Sequence, residues 1–421
     1  MRKVLDMTAD FVPDVPGSRS IAARALICAS LAHGHSLLSN VPVCDDTVAI
    51  TGCVEGIGAQ VHSVGTETEI AGSARVAPTG RLLDCLASGT TMRFVSALSL
   101  LTHEPMILTG TPRLFERPMA GLHDLLNQVG KQVQDSDGQR TISGTAHIPD
   151  EIGIDASSSG QFVSGLMMAL ATCGKSTILR ASNPVSIPFI RMTEMVMKSF
   201  GAQLSVEQYG NDLVINLDGL GYQATKFAIE PDIMSANYFL AAAALSGRSV
   251  FIPNISADTI QGDIALVHVL SRMGALVEFV DGGIRCSRPS DTPLVGCTLD
   301  LSDMPDMCLT FAALATVAHG PTTMTSARIL KFKESDRLSV IRTETTKLGA
   351  AVEISNDDDT IVITPSTSLN PAQIDTFDDH RVAMAYGLLT LREPAIVIND
   401  PGCVSKTWPD YFSELQRYRN V

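Results

Sequence analysis

The stretch ANYFLAAAALSGRSVFI, residues 236–252, is apolar almost without interruption for ten residues, stops at Ser246-Gly247 and resumes as a β-like run. A helix that is apolar on every side has to be buried on every side. The glycine behind it ends the helix cheaply, because it takes the left-handed conformation without steric cost. Five other stretches read the same way: ARALICASLAHG (23–34), MRFVSALSLLTHE (92–104), QFVSGLMMALATCG (161–174), MCLTFAALATVAHG (307–320) and RVAMAYGLLTLRE (381–393), each followed by a β-like run. Their turns fall at Gly34, Glu104, Gly174, Gly247, Gly320 and Glu393, in steps of 70, 70, 73, 73 and 73 residues.

A second element repeats in phase, an amphipathic helix closing on glycine before a short strand. It appears as EGIGAQVH, NQVGKQVQ, KSFGAQLSV, SRMGALVEF and TKLGAAVEI, with closing glycines at 58, 130, 201, 274 and 349. The sixth copy falls where the chain ends, at FSELQRYRNV (412–421). Each unit therefore holds strands and two helices, one of them destined for a core. Such units stack or close on each other to bury that helix, so six of them predict an α/β protein of two domains with three units each.

At 421 residues the chain exceeds what one core usually serves. Its longest apolar runs fall short of the roughly 18 residues that cross a bilayer. In the N-terminal MRKVLDMTADFVPD, Asp6 and Asp10 interrupt any signal-peptide core. A cytoplasmic protein is expected. The nine cysteines (28, 44, 53, 85, 173, 286, 297, 308 and 403) form no CxxC pair and read as reduced, and no zinc-type spacing of His and Cys occurs. A formal charge of −14 argues against nucleic acid or an anionic membrane as partner, since both demand clustered cations.

Polar motifs stand just before the six apolar helices: PGSRSIAAR (16–24), LASGTTMR (86–93), DASSSGQ (155–161), EPDIMSAN (230–237), DMPD (303–306) and DDHR (378–381). Ordinary capping accounts for the Ser and Asp residues. It does not account for the Arg, His and extra carboxylates, which predict anion binding at helix N-termini, where N–H groups and the dipole are both available. FERP (115–118), KFKESDR (331–337) and GCVSKTWPDYF (402–412) lie outside those caps. GKST (174–177) is no phosphate loop, because Ala169 stands where the leading glycine belongs.

The order PGSRSIAARA, DDT, SGTTMR, ERP, SGQF, SIPFI, DMPD, KESDR, DDHR and SKTWPDYF resembles the EPSP synthase family over nearly the whole chain. The resemblance implies a two-domain inside-out α/β barrel built from six βαβαββ-type repeats. The first domain would be residues 18–230, the second 1–17 with 231–421, and the active site would lie in the cleft between. It implies transfer of the enolpyruvyl group of phosphoenolpyruvate to the 5-hydroxyl of shikimate 3-phosphate, by a monomer that needs no cofactor and no metal.

Residue by residue, the resemblance implies a phosphoenolpyruvate site of Arg19, Gly89, Arg117 and Lys406 near the phosphate, Arg337 and Arg381 on the carboxylate, and His380 alongside. The acceptor would meet Ser20, Arg24, Ser159, Gln161, Ser186, Lys333 and Asp306. Asp306 and Glu334 match the family's two catalytic carboxylates. Five or more cations suit a phosphate and a carboxylate together, and Arg offers forked donors for both.

Four positions depart from the family's usual pattern: Arg19 for lysine, Ala87 for asparagine, Gly160 for serine and Phe189 for tyrosine. The sister enzyme acting on UDP-N-acetylglucosamine fits less well, because residues 86–172 contain no cysteine. Two other readings are an enolpyruvyl transferase of secondary metabolism with another phosphorylated acceptor, such as a nucleotide, and a non-catalytic binding protein on the same scaffold.

Overall fold

A computed structural model describes residues 10–420; the reading of residues 1–9 as no part of a signal peptide lies outside them. The chain divides into two compact units, one of Gly17–Ile229 and one of Glu230–Val421 together with the N-terminal segment ending at Pro16.

In the unit of residues 17–229, three central helices, Arg19–Leu31, Gly89–Leu98 and Gly160–Leu170, are buried along nearly their whole length. Each apolar stretch became a helix buried all round, as its sequence requires. Gly165 shows why small residues recur in them. A Cβ there would fall 3.1 Å from the Ala97 Cβ and 3.2 Å from the Arg93 carbonyl oxygen, so the second and third central helices cross with no room for a side chain.

The middle repeat runs strand Leu83–Asp84, central helix, strand Met106–Thr109, amphipathic helix Ala120–Gln128 and a hairpin of Gln132–Ser136 with Gln139–Ser143. The first strand pairs parallel to the second, which pairs antiparallel with the hairpin. Strands Glu151–Asp155, Thr177–Ser182, Leu204–Tyr209 and Asp212–Leu217 repeat that order in the third sheet. In the first sheet, the edge parallel to Ala32–Ser39 comes from the far end of the unit, Tyr222–Gln223 and Lys226–Ala228. The end of this unit thus pairs with its beginning.

The unit containing residues 230–420 follows the same plan around Ile233–Ser246, Cys308–Ala315 and His380–Gly387. Polar atoms inside this core find each other: Thr310 donates to Asn237 Oδ1 at 2.6 Å. The N-terminal segment supplies the missing edge here, with Phe11 N–H donating to the Ser249 carbonyl and accepting from Phe251 N–H through its own. The sixth repeat is short. Among the described residues its sheet has two strands, Gln373–Ile374 and Val397–Ile398, and the last element is the helix Tyr411–Asn420.

No helix among the described residues is long and apolar enough to cross a membrane. The nine cysteines are free thiols.

Candidate active site

Four of the polar motifs do supply ordinary caps. Ser88, Ser159, Asp232 and Asp379 accept from the N–H groups of Thr91, Gln161, Met234 and Arg381 at the starts of their helices. The remaining residues of those motifs do other work, and they fall into two clusters, one in each unit.

In the unit of residues 17–229, the cluster is cationic. Gly89 opens the second central helix, and a Cβ there would lie 2.6 Å from Arg117 Nη1 and 2.7 Å from Arg93 Nη1. Two guanidinium groups therefore meet at the positive end of a helix, over the one residue that has no side chain to displace them. Arg93 itself donates to Gln161 Oε1 at 2.7 Å and to the Pro118 carbonyl at 3.2 Å, while Gln161 Nε2 donates to Thr90 at 3.0 Å. Arg93 was not among the expected site residues. It stands in the quoted SGTTMR motif, but four residues into an apolar helix it reads as core.

Arg19 begins the first central helix and donates through Nη1 to Asp46 Oδ2 at 2.9 Å. Asp46 belongs to the DDT motif, so the structure joins two motifs 27 residues apart. Ser20 is half-buried beside it. Arg24, one turn further on, is buried. Its Nε donates to Thr193 Oγ1 at 2.7 Å, Nη1 to the Ser20 carbonyl at 2.7 Å and Nη2 to Ser164 at 3.3 Å and the Phe189 carbonyl at 3.1 Å. Burial pulls its pKa down to about 9. Arg24 thus braces three helices from within.

Ser186 holds a left-handed backbone, φ 55°, at the start of Ile187–Ser199. The departure at position 160 has a local cause. A Cβ on Gly160 would sit 2.4 Å from the Val185 carbonyl oxygen, so this loop leaves no space for serine.

In the other unit the expected residues converge on one guanidinium. Arg337 begins the helix Arg337–Lys347 and has no solvent exposure. Its Nη1 lies 2.8 Å from Asp306 Oδ1, its Nη2 3.0 Å from Glu334 Oε2, and its Nε 2.9 Å from Asp379 Oδ2. Lys333 Nζ reaches Asp306 at 2.9 Å, Arg381 Nη2 reaches it at 3.5 Å, and Lys406 Nζ lies 3.5 Å from Glu334. Ser335 donates to Asp379 at 3.0 Å, tying the KESDR segment to the DDHR helix. His380 is buried beside Asp379.

Burial alone would push the Asp306 carboxyl up, but Lys333, Arg381 and Arg337 override it and hold it well below the usual carboxylate range. Burial likewise disfavours the Arg337 cation, and Asp379, Asp306 and Glu334 raise it again. Two partly exposed carboxylates, Asp306 and Glu334, are thus held by a shared cation and flanked by others, an arrangement suited to acid–base chemistry on an anion. No group of three or more His, Cys, Asp or Glu able to hold a metal occurs among the described residues.

The profile of EPSP synthase (3-phosphoshikimate 1-carboxyvinyltransferase) matches residues 10–415. The chain is 36% identical to a 3-phosphoshikimate 1-carboxyvinyltransferase of Photobacterium profundum over 412 residues, covering 96% of this chain and 95% of that one. It is 37% identical to the protein of that name from Vibrio cholerae over 411 residues, with the same coverage. Among solved structures, EPSP synthase from Acinetobacter baumannii superposes with a TM-score of 0.77 at 23% identity, covering 97% of this chain and 95% of that one. The enolpyruvyl transferase NikO from Streptomyces tendae gives 0.74 at 16%, covering 97% and 94%, a likeness of fold alone. Matched along nearly its full length, the chain belongs to the EPSP synthase (3-phosphoshikimate 1-carboxyvinyltransferase) family.

Proposed function

We propose that this protein transfers the enolpyruvyl group of phosphoenolpyruvate to the 5-hydroxyl of shikimate 3-phosphate and releases phosphate. The observation that carries the reading is the placement of Asp306 and Glu334 on one buried guanidinium, each with a further cation at hand. The relatives at 36–37% identity favour the shikimate acceptor over a nucleotide. The proposal carries with it two small anionic substrates, no cofactor, and a cytoplasmic protein acting as a monomer.

In this reading the clusters of the two units serve one reaction. Arg19, Arg117, Lys406 and the N–H groups at Gly89 take the phosphate of phosphoenolpyruvate, Arg337 and Arg381 its carboxylate, with His380 alongside. Ser20, Arg24, Ser159, Gln161, Ser186 and Lys333 take the acceptor. Arg24 and Arg337 act from beneath, since both are fully engaged with protein groups.

In the first step the acceptor hydroxyl oxygen bonds to C2 of phosphoenolpyruvate and its proton passes to Asp306. The π electrons of the double bond take a proton from Glu334 at C3, leaving a tetrahedral intermediate with a methyl group. In the second step the bond from C2 to the phosphate oxygen breaks, the methyl group returns a proton to Glu334, and Asp306 gives its proton to the departing phosphate. Asp306 is a weak base while three cations surround it. Substrate anions drawing on Lys333 and Arg381 would raise its basicity when it is needed.

Phosphate release with phosphoenolpyruvate and a panel of shikimate 3-phosphate, UMP and UDP-N-acetylglucosamine tests the proposal. Release with shikimate 3-phosphate alone is expected; release only with a nucleotide would replace the acceptor.

A further inference from the structure

The DDT motif, residues 45–47, has no part in the steps above. Thr47 does its structural work. The Thr47 hydroxyl accepts from Cys44 N–H at 3.2 Å and donates to the Pro42 carbonyl at 2.6 Å, which fixes the start of the helix Asp45–Gly56. Asp46 stands in the first turn of that helix, where a carboxylate suits the dipole. Its Oδ2, however, lies 2.9 Å from Nη1 of Arg19, the first residue of another helix, and the two side chains are only 18% and 12% exposed. A pair so far withdrawn from water is not the exposed kind whose worth is near zero.

A carboxylate is an unexpected neighbour for a cation that receives a phosphate. It engages one arm of the guanidinium and repels the incoming anion. Charge alone would favour its absence, so what it contributes has to be geometric. A guanidinium holds its donors in a rigid planar fork, and it meets a phosphate with two of them only when that plane is set. An ammonium on a flexible stem has three rotatable donors and needs no such setting. We infer that Asp46 is a positioning residue for phosphoenolpyruvate binding: it sets the plane of the Arg19 guanidinium, and it matters because position 19 is arginine. The inference rests on the phosphate role given above to Arg19.

Two simpler roles for Asp46 predict other outcomes. If it only complements the dipole of its own helix, its loss costs the same whatever stands at position 19. If it acts only through its charge, its loss strengthens the hold on an anion. Positioning predicts weaker binding, and predicts it for arginine at position 19.

The test is a double-mutant cycle of Asp46→Ala against Arg19→Lys. Asp46→Asn serves as a second variant that keeps the side-chain shape and an acceptor oxygen, and it carries the same comparison if Asp46→Ala does not fold. Each protein is assayed for the Michaelis constants of phosphoenolpyruvate and shikimate 3-phosphate and for inhibition by inorganic phosphate. With Arg19 in place, Asp46→Ala should raise the constants for phosphoenolpyruvate and for inorganic phosphate by about tenfold, the low end for a hydrogen bond to a charged group. Asp46→Asn should fall between it and wild type, and the constant for shikimate 3-phosphate should stay level. In the Arg19→Lys background the same substitutions should change the phosphoenolpyruvate and phosphate constants far less. Level or lowered constants with Arg19 in place, or equal rises in both backgrounds, overturn the inference and leave the proposed function standing. Absence of turnover by wild type with shikimate 3-phosphate overturns both.

Discussion

Arg337 Nε lies 2.9 Å from Asp379 Oδ2, and neither side chain has any exposure to solvent. Asp379 also accepts from Ser335 and from Arg381 N–H, so one carboxylate fixes the guanidinium that carries Asp306 and Glu334, and caps the helix that carries His380. Removing one partner of a buried pair leaves the other charge uncompensated, at a cost of about 3–5 kcal/mol. Asp379→Ala should therefore destabilise this unit by that order, measured by urea unfolding. A change below about 1 kcal/mol, the usual worth of an exposed pair, would mean that the cluster does not depend on Asp379.

Asp306→Ala and Glu334→Ala should each lower turnover by about 10²–10⁴-fold, the usual contribution of a positioned proton-transfer group. Circular dichroism should show both variants folded, since both side chains are partly exposed at the cluster's surface. Near-normal turnover in both would remove these carboxylates from the reaction.

Arg19 is the charged residue on which this chain and its family's usual pattern part. Its fork is anchored through Nη1 to Asp46, which leaves a wide planar group to meet the phosphate where an ammonium would be mobile. Catalysis gains only from contacts that strengthen in the transition state, and an ammonium follows a departing phosphate more readily. Arg19→Lys should keep the Michaelis constant for phosphoenolpyruvate within several-fold and preserve or raise turnover. Arg19→Ala should damage both. Equal damage from the two substitutions would make the guanidinium a specific requirement.

Asp263 is buried and sets a dependence of stability on pH. Its folded-state pKa of about 8 lies above the ordinary 3.8, so the folded protein holds a proton that the unfolded chain gives up. Stability from this group is fully present below about pH 4 and is lost as pH rises to about 8. Asp263→Asn has no such term. Urea midpoints at pH 5, 6.5 and 8 should show the variant gaining steadily on wild type, and a constant difference would place the ionisation elsewhere.

The fold was legible because six turns recur at nearly constant spacing and an all-apolar helix has only one place to go. What could not be read was closure. The first sheet takes its parallel edge from residues 222–228, and the fourth repeat takes its own from Phe11, partnerships that a linear repeat does not announce. Among the site residues, the family resemblance pointed to Asp306, Glu334, Arg337 and Lys333 in separate roles, and the structure brings them to one place. The convergence of Arg93 and Arg117 on Gly89 needs folded distances, since a basic residue inside an apolar helix looks like an exception in a core. Asp263 stands outside every quoted motif, and only tertiary packing shows it to be buried.

The central claim is that phosphoenolpyruvate is protonated at its methylene carbon, adds the acceptor, and then loses a proton from the resulting methyl group. Mass spectrometry of the product formed from phosphoenolpyruvate and shikimate 3-phosphate in D2O tests it directly. The account predicts an enolpyruvyl ether carrying solvent deuterium at its methylene carbon, released with one equivalent of phosphate and abolished by Glu334→Gln. Product without deuterium, or no product at all, would contradict it.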